Sequence, residues 1–202
     1  MKILLLGDSG TIGSAVADKL ASRGHTVIGA SRAHLERPGD LTDAASIDNL
    51  YAEVGTVDAV ACAGGHVVYG TIQEMSYEKY LGSLCDKALG QIELVRHGLA
   101  AISPRGSFTL ITGVLFDRPV VTGSAAAAAN GVVEGFARAA ALELAPIRVN
   151  VVSPTLLTES VAKHGHLFPG ETPVSARLVA KAYLRSIETV ETGWIYRLHQ
   201  VR

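Results

Sequence analysis

The chain has 202 residues, of which 48% are apolar, and a formal net charge of -1. That is enough apolar material for one well-buried core and too little for a second, so one domain spanning residues 1–202 is expected. A near-neutral chain without a run of five like charges offers no field for nucleic acid or an anionic membrane, which leaves small molecules as ligands. The two cysteines, Cys62 and Cys85, form neither a C-x-x-C pair nor a disulfide framework, which suits a reducing cytosol. The apolar opening MKILLLGD breaks at Gly7 and Asp8, too early for a signal-peptide core or a membrane span, so a cytoplasmic protein is expected.

In chain order, the first predicted strand covers residues 2–6 and is followed by the turn GDSGTIG and a helix over 12–23. A second strand, 26–31, precedes a helix at 44–54 and a third strand at 57–62. Helical period then runs through 77–101, before a strand at 107–112 and a long helix over 123–144. A strand at 148–152, a helix at 175–187 and a final strand at 194–198 complete the series. This alternation predicts an α/β fold, a Rossmann-type doubly wound parallel sheet with its ligand crevice at the carboxyl ends of the strands. No repeat of 20–50 residues argues otherwise.

The first turn carries the most information. Gly7, Gly10 and Gly13 stand at intervals of three between a strand and a helix. Glycine there permits unusual backbone angles and lets a pyrophosphate approach the amides of a helix N-terminus. Ser9, Thr11 and Ile12 of the same turn join the glycines as candidate cofactor contacts. A plain strand-to-helix turn is the bland alternative. At the end of the second strand an Asp or Glu would bond the ribose hydroxyls of NAD, whereas the chain has Ser31 and Arg32. A hydroxyl and a guanidinium fork suit a 2′-phosphate, which points to NADP(H) over NAD unless Arg32 is only a solvated surface residue.

Several ordered motifs together resemble the short-chain dehydrogenase/reductase family. GDSGTIG is similar to its glycine-rich turn, GDLTD to its adenine-contacting aspartate segment, and VDAVACAGG to its Asn-Asn-Ala-Gly segment. ALELAPIRVNVVSP resembles the stretch that leads into its Pro-Gly turn, and the likeness runs from residue 2 to about 196. The resemblance implies that Asp40 and Leu41 flank the adenine, and that Ala63 and Gly64 line the cofactor groove, with Cys62 in the place of an asparagine. It also puts Pro154 at the groove and Thr158 near the nicotinamide amide or the phosphates, although Thr155 stands where glycine is usual and Thr158 comes one residue early.

The same resemblance exposes a departure. Matching NGVVEGF to the family's segment after its catalytic lysine puts Asn130 at the lysine position and Ala126 at the tyrosine position. The family's serine position falls on Gly113, with Thr112 beside it, and its asparagine position falls on Lys87. No lysine lies between Lys87 and Lys163 and no tyrosine between Tyr80 and Tyr183, so a shifted alignment does not restore the dyad. Carbonyl reduction by NADPH needs a hydride donor and a proton donor, and a positioned acid is typically worth ~10²–10⁴ in rate. Hydride transfer to an electron-poor acceptor such as a quinone survives its loss more readily.

Candidates for the missing roles are few. Lys87 is the leading one, as a proton donor with a pKa lowered in a partly dry cleft or as a ribose-binding or snorkelling lysine. Thr112 either donates one hydrogen bond to the reacting oxygen or caps its strand, Ser124 reads as a helix N-terminal residue, and Asn130 can bond ribose hydroxyls. His66 and Tyr69 are acids or pocket-wall residues. His164 and His166 lack a third ligand nearby, so no metal is expected. The aperiodic stretch 159–172, with Leu167 and Phe168 as an apolar roof, reads as a substrate lid or as an ordinary surface connection. The alanines of the long helix permit close helix packing, and the resemblance implies a homodimer or homotetramer. Two functions fit: an NADP(H)-dependent oxidoreductase of a small carbonyl or quinone-like compound with a non-standard proton donor, and a catalytically silent NADP(H)-binding or sensing protein. A non-redox isomerase or dehydratase is a third.

Overall fold

In the computed structural model, which describes residues 1–34 and 37–199, six parallel strands form one sheet. They are β1 (Lys2–Leu6), β2 (Thr26–Ala30), β3 (Val57–Cys62), β4 (Ile102–Ile111), β5 (Arg148–Pro154) and β6 (Ile195–Leu198), in spatial order β2-β1-β3-β4-β5-β6. The helices are α1 (Thr11–Ala21), α2 (Ala44–Val54), α3 (Tyr77–Leu84), α4 (Gly90–Gly98), α5 (Ser124–Glu143), the single turn α6 (Val161–His164) and α7 (Ala176–Glu188). α1 packs on α7, while α4 packs on both α2 and α5. Helices cover both faces of the sheet, and its central strands are largely buried; Ile3, Leu4, Leu5 and Leu6 of β1 all lie in the core. The strand order reverses between β1 and β3, and the crevice between their carboxyl ends is where such sheets take ligands.

Helix starts follow from local chemistry. Asp43, Ser76 and Ser175 each accept a first-turn amide at the starts of α2, α3 and α7. The alanine run also finds its reason: Ala125, Ala126, Ala129, Ala137, Ala140 and Ala141 form the buried face of α5, where small side chains let a 20-residue helix lie close to the sheet.

Several features differ from the pattern expected of the sequence. The helical period over 77–101 is interrupted by a π-type turn at Cys85–Leu89, a feature common near functional sites. There Gly90 presses against Leu41, where a Cβ would lie 2.6 Å from the Leu41 backbone oxygen. β4 begins at Ile102 because Val57 pairs with Ile102 before the register shifts to Ala59 with Ser107. β2 ends at Ala30, leaving Ser31 in an isolated bridge with Pro38. The stretch 159–172 is regular in its first part, which holds α6 and two 3-10 turns, Thr158–Ser160 and Gly165–Leu167.

Candidate functional site

The site begins at the turn after β1. Gly7 has φ of +80°, in the left-handed region that favours glycine, and its N–H donates to the Ala30 carbonyl. A Cβ at Gly7 would lie 2.8 Å from the Gly64 nitrogen, and one at Gly13 would run into the Gly7 carbonyl oxygen. These contacts pull the start of α1 down onto the ends of β1 and β3. No side chain caps α1, whose N-cap is Gly10, so the amides of its first turn face the groove without a helical acceptor.

A cavity of about 270 Å³ opens in front of this turn. Gly7, Ser9, Gly10, Ser31, Arg32, Leu41, Ala63 and Gly64 line it, as does Asp86, which the sequence reading missed. The Ser9 hydroxyl donates to Ser31 Oγ at 3.1 Å. Arg32 Nη1 donates to Asp86 Oδ2 at 3.2 Å, and Asp86 Oδ1 accepts the His66 amide at 3.0 Å. Asp8 pairs with His34 at 3.0 Å, while its other oxygen is buried without a partner.

Asp40, Cys62, Thr11 and Gly13 do not line this cavity. Asp40 Oδ1 accepts both the amide and the hydroxyl of Thr42, which holds the carboxyl below its ordinary range; its neighbour Leu41 is the residue that faces the cavity. Cys62 lies buried behind the groove wall, its thiol donating to the Gly64 carbonyl and pushed up to about 11 by burial. Thr11 and Gly13 belong to the supporting start of α1 and do not line the cavity.

A second cavity, of about 210 Å³, lies alongside. The Lys87 stem packs against Gly65, a residue of the first cavity, so the two share a wall. Ile12, Val67, Leu156, Leu157 and Phe168 make the second cavity apolar, and Ala126, Asn130, Gly113 and Pro154 complete it. Lys87 Nζ has no hydrogen bond or ion pair among the described residues, and desolvation holds its ammonium below the ordinary lysine range against the pull of Cys62 and Asp86. Asn130 Nδ2 donates to the Gly113 carbonyl at 3.1 Å, while its Oδ1 is buried without a partner.

Thr112 lines this cavity, but its hydroxyl donates to Glu134 Oε1 at 3.3 Å, and Glu134 is in turn held by Arg197. In this arrangement the Thr112 hydroxyl is directed to Glu134 on α5. Thr158 falls outside: its 3-10 turn lies beyond the wall, its amide bonded to the Val174 carbonyl, and Leu156 and Leu157 stand at the cavity instead. The shift follows from β5 running on to Pro154.

In the expected lid, Phe168 enters the cavity and packs on Val114, Leu115 and Ala126, whereas Leu167 does not line it. Glu171 ties this segment down through Arg118 and through Thr155 Oγ1, and the Glu159 carboxylate accepts the Ala176 amide. Tyr69 lines the cavity with 45% of its surface exposed, and His66 is exposed as well. Ser124 Oγ pairs with the Tyr80 hydroxyl at 2.7 Å, joining α5 to α3. Among the described residues no three His, Cys, Asp or Glu side chains converge as metal ligands.

A family model described as Enoyl-(Acyl carrier protein) reductase matches residues 7–192. A short-chain dehydrogenase/reductase, ucsE from Acremonium sp, is 31% identical over 101 residues, covering 48% of this chain and 38% of that relative. The chain belongs to the short-chain dehydrogenase/reductase family. Among solved structures, the protein lin1944 from Listeria innocua is 42% identical with a TM-score of 0.94, over 98% of both chains. A small-chain dehydrogenase in complex with NADPH is 27% identical with a TM-score of 0.87, over 98% of this chain and 96% of that one. Against this family background, the positions that the motifs equate with the tyrosine and lysine, Ala126 and Asn130, both lie on the wall of the second cavity. No described helix is long and apolar enough to cross a membrane.

Proposed function

We propose that this short-chain dehydrogenase/reductase is an NADP(H)-dependent oxidoreductase of a small carbonyl or quinone-like compound, in which Lys87 supplies the proton. The observation that carries this reading is the Lys87 ammonium, unpartnered in an apolar cavity that adjoins the glycine groove. The groove suits a dinucleotide: α1 presents an uncapped N-terminus, and Gly7 and Gly13 leave no Cβ between that helix and the strand ends. Ser31 and Arg32 favour the 2′-phosphate, and the unpaired Asn130 Oδ1 is an acceptor for a ribose hydroxyl.

NADPH, when bound, supplies the hydride. The chain supplies the rest. Val67, Leu156 and Phe168 keep water from the reacting oxygen, and Lys87 Nζ holds the proton that this oxygen takes up. A desolvated ammonium is a stronger acid than one in water, which fits it to that step.

The test is NADPH binding by fluorescence titration, then NADPH oxidation against ketones, aldehydes and quinones for wild type, Lys87→Met and Lys87→Arg. Lys87→Met is expected to lower the rate by ~10² or more while NADPH binding changes less than the rate does. An unchanged rate removes Lys87 from the role. Tight NADPH binding without turnover on any acceptor favours the sensing reading, which draws on the commitment of the Thr112 hydroxyl to Glu134.

We also propose self-association through the outer face of α5, where Ala128, Val132, Gly135, Ala139 and Leu142 recur at helical spacing and Leu142 is 84% exposed. The free thiols of Cys62 and Cys85 accord with a cytoplasmic setting.

A further inference from the structure

Asp86 has no part in the chemistry proposed above, yet it lines the first cavity in contact with Arg32. It belongs to the π-type turn, and its carboxylate lines the groove. Its position is fixed. Oδ1 accepts the His66 amide, so the carboxylate stays at the cavity wall with its side chain only 15% exposed. Arg32 is the looser member, with 57% of its side chain exposed, and Asp86 is its carboxylate partner.

A carboxylate and a guanidinium facing the same small volume read a ribose in opposite senses. A free 2′-hydroxyl donates to a carboxylate, which is how an acidic residue after the second strand selects NAD. A 2′-phosphate is drawn to the guanidinium and repelled by a carboxylate a few ångströms away. It must also displace Asp86 from the Arg32 edge it uses. β2 lacks an acidic residue at its end, but the fold delivers one from a different element.

We infer that Asp86 is a specificity-determining residue: by opposing Arg32 it holds the preference for NADPH over NADH well below what Arg32 alone would give. This rests on the dinucleotide reading of the groove. It assigns to the acidic member of the pair a role that the β2 end does not reveal.

The experiment measures dissociation constants of NADPH, NADH, 2′,5′-ADP and 5′-AMP by calorimetry for wild type, Asp86→Asn and Asp86→Ser. Asp86→Asn retains an oxygen for the His66 amide and the size of the side chain; Asp86→Ser is the second variant should the first unfold. In either folded variant, the ratio of the NADH to the NADPH constant is expected to rise about tenfold, mainly through tighter NADPH, with 2′,5′-ADP following and 5′-AMP not. The increment is expected to shrink as salt is raised. A ratio within twofold of wild type, or one that moves toward NADH, overturns the inference while leaving the dinucleotide reading intact. A wild type that binds none of the four overturns both.

Discussion

Gln91 on α4 is completely buried and acts as a surrogate strand. The β3–β4 ladder ends at Ala61 opposite Thr109, and the Thr112 amide turns to Val152 of β5, so the backbone groups of Ile111 face α4. The Gln91 amide meets both, with Oε1 accepting the Ile111 N–H at 2.8 Å and Nε2 donating to the Ile111 carbonyl at 2.9 Å. Nε2 also donates to the Lys87 carbonyl at 2.7 Å, which fastens the π-type turn to the end of β4. Gln91→Leu leaves two buried backbone groups of Ile111 without partners, at ~1–3 kcal/mol each, and leucine burial offsets part of this. A net loss of about 2–4 kcal/mol is expected, which for a domain of this size lowers Tm by roughly 5–15 °C. Urea unfolding should show a lower midpoint with an unchanged slope. Because the same amide positions Lys87, NADPH oxidation by the folded variant should fall as well. A loss below about 1 kcal/mol would mean that the Ile111 groups have other partners.

Gly13→Ala drives a Cβ into the Gly7 carbonyl, so the glycine turn must open, and NADPH affinity should drop by ~10² or more in a titration. Arg197→Ala leaves the buried Glu134 carboxylate without its cation and should cost about 3 kcal/mol in chemical denaturation, well above the ~0.5 kcal/mol of an ordinary surface change. Desolvation puts the Lys87 ammonium lower in the folded than in the unfolded chain, so the folded state binds that proton less readily and stability rises with pH between the two values. Lys87→Met should therefore be most favoured over wild type near neutral pH, with the gap closing toward pH ~10.4, and a constant gap across denaturation curves would show Lys87 to be solvated. If Lys87 is the acid, wild-type turnover falls as pH rises through the same lowered value. Finally, Leu142→Glu with Val132→Glu should yield a smaller species in light scattering if the outer face of α5 is an interface, and an unchanged mass would exclude that face.

Much of this protein is legible in its sequence because the relevant signals are local. The leucines of β1, the glycines of the first turn and the alternation of strands with helices specify a parallel sheet and a dinucleotide-type turn, since each depends on neighbours within a few residues. The motifs also bring Ala126 and Asn130 to notice, and both line the cavity. Spatial pairing is what the sequence could not supply. The Thr112 hydroxyl finds Glu134, 22 positions away, and Asp86 meets Arg32 across 54 positions. Asp40 bonds Thr42 two residues on, a turn too local for strand-and-helix patterning to register. The π-type turn, which aims both Asp86 and Lys87, follows from no residue type of its own: it forms where Gly90 must fit against Leu41 and Gln91 must reach Ile111. Periodicity determines which face of a helix is apolar, but the partners that a buried polar group finds are set by packing between segments distant in the chain.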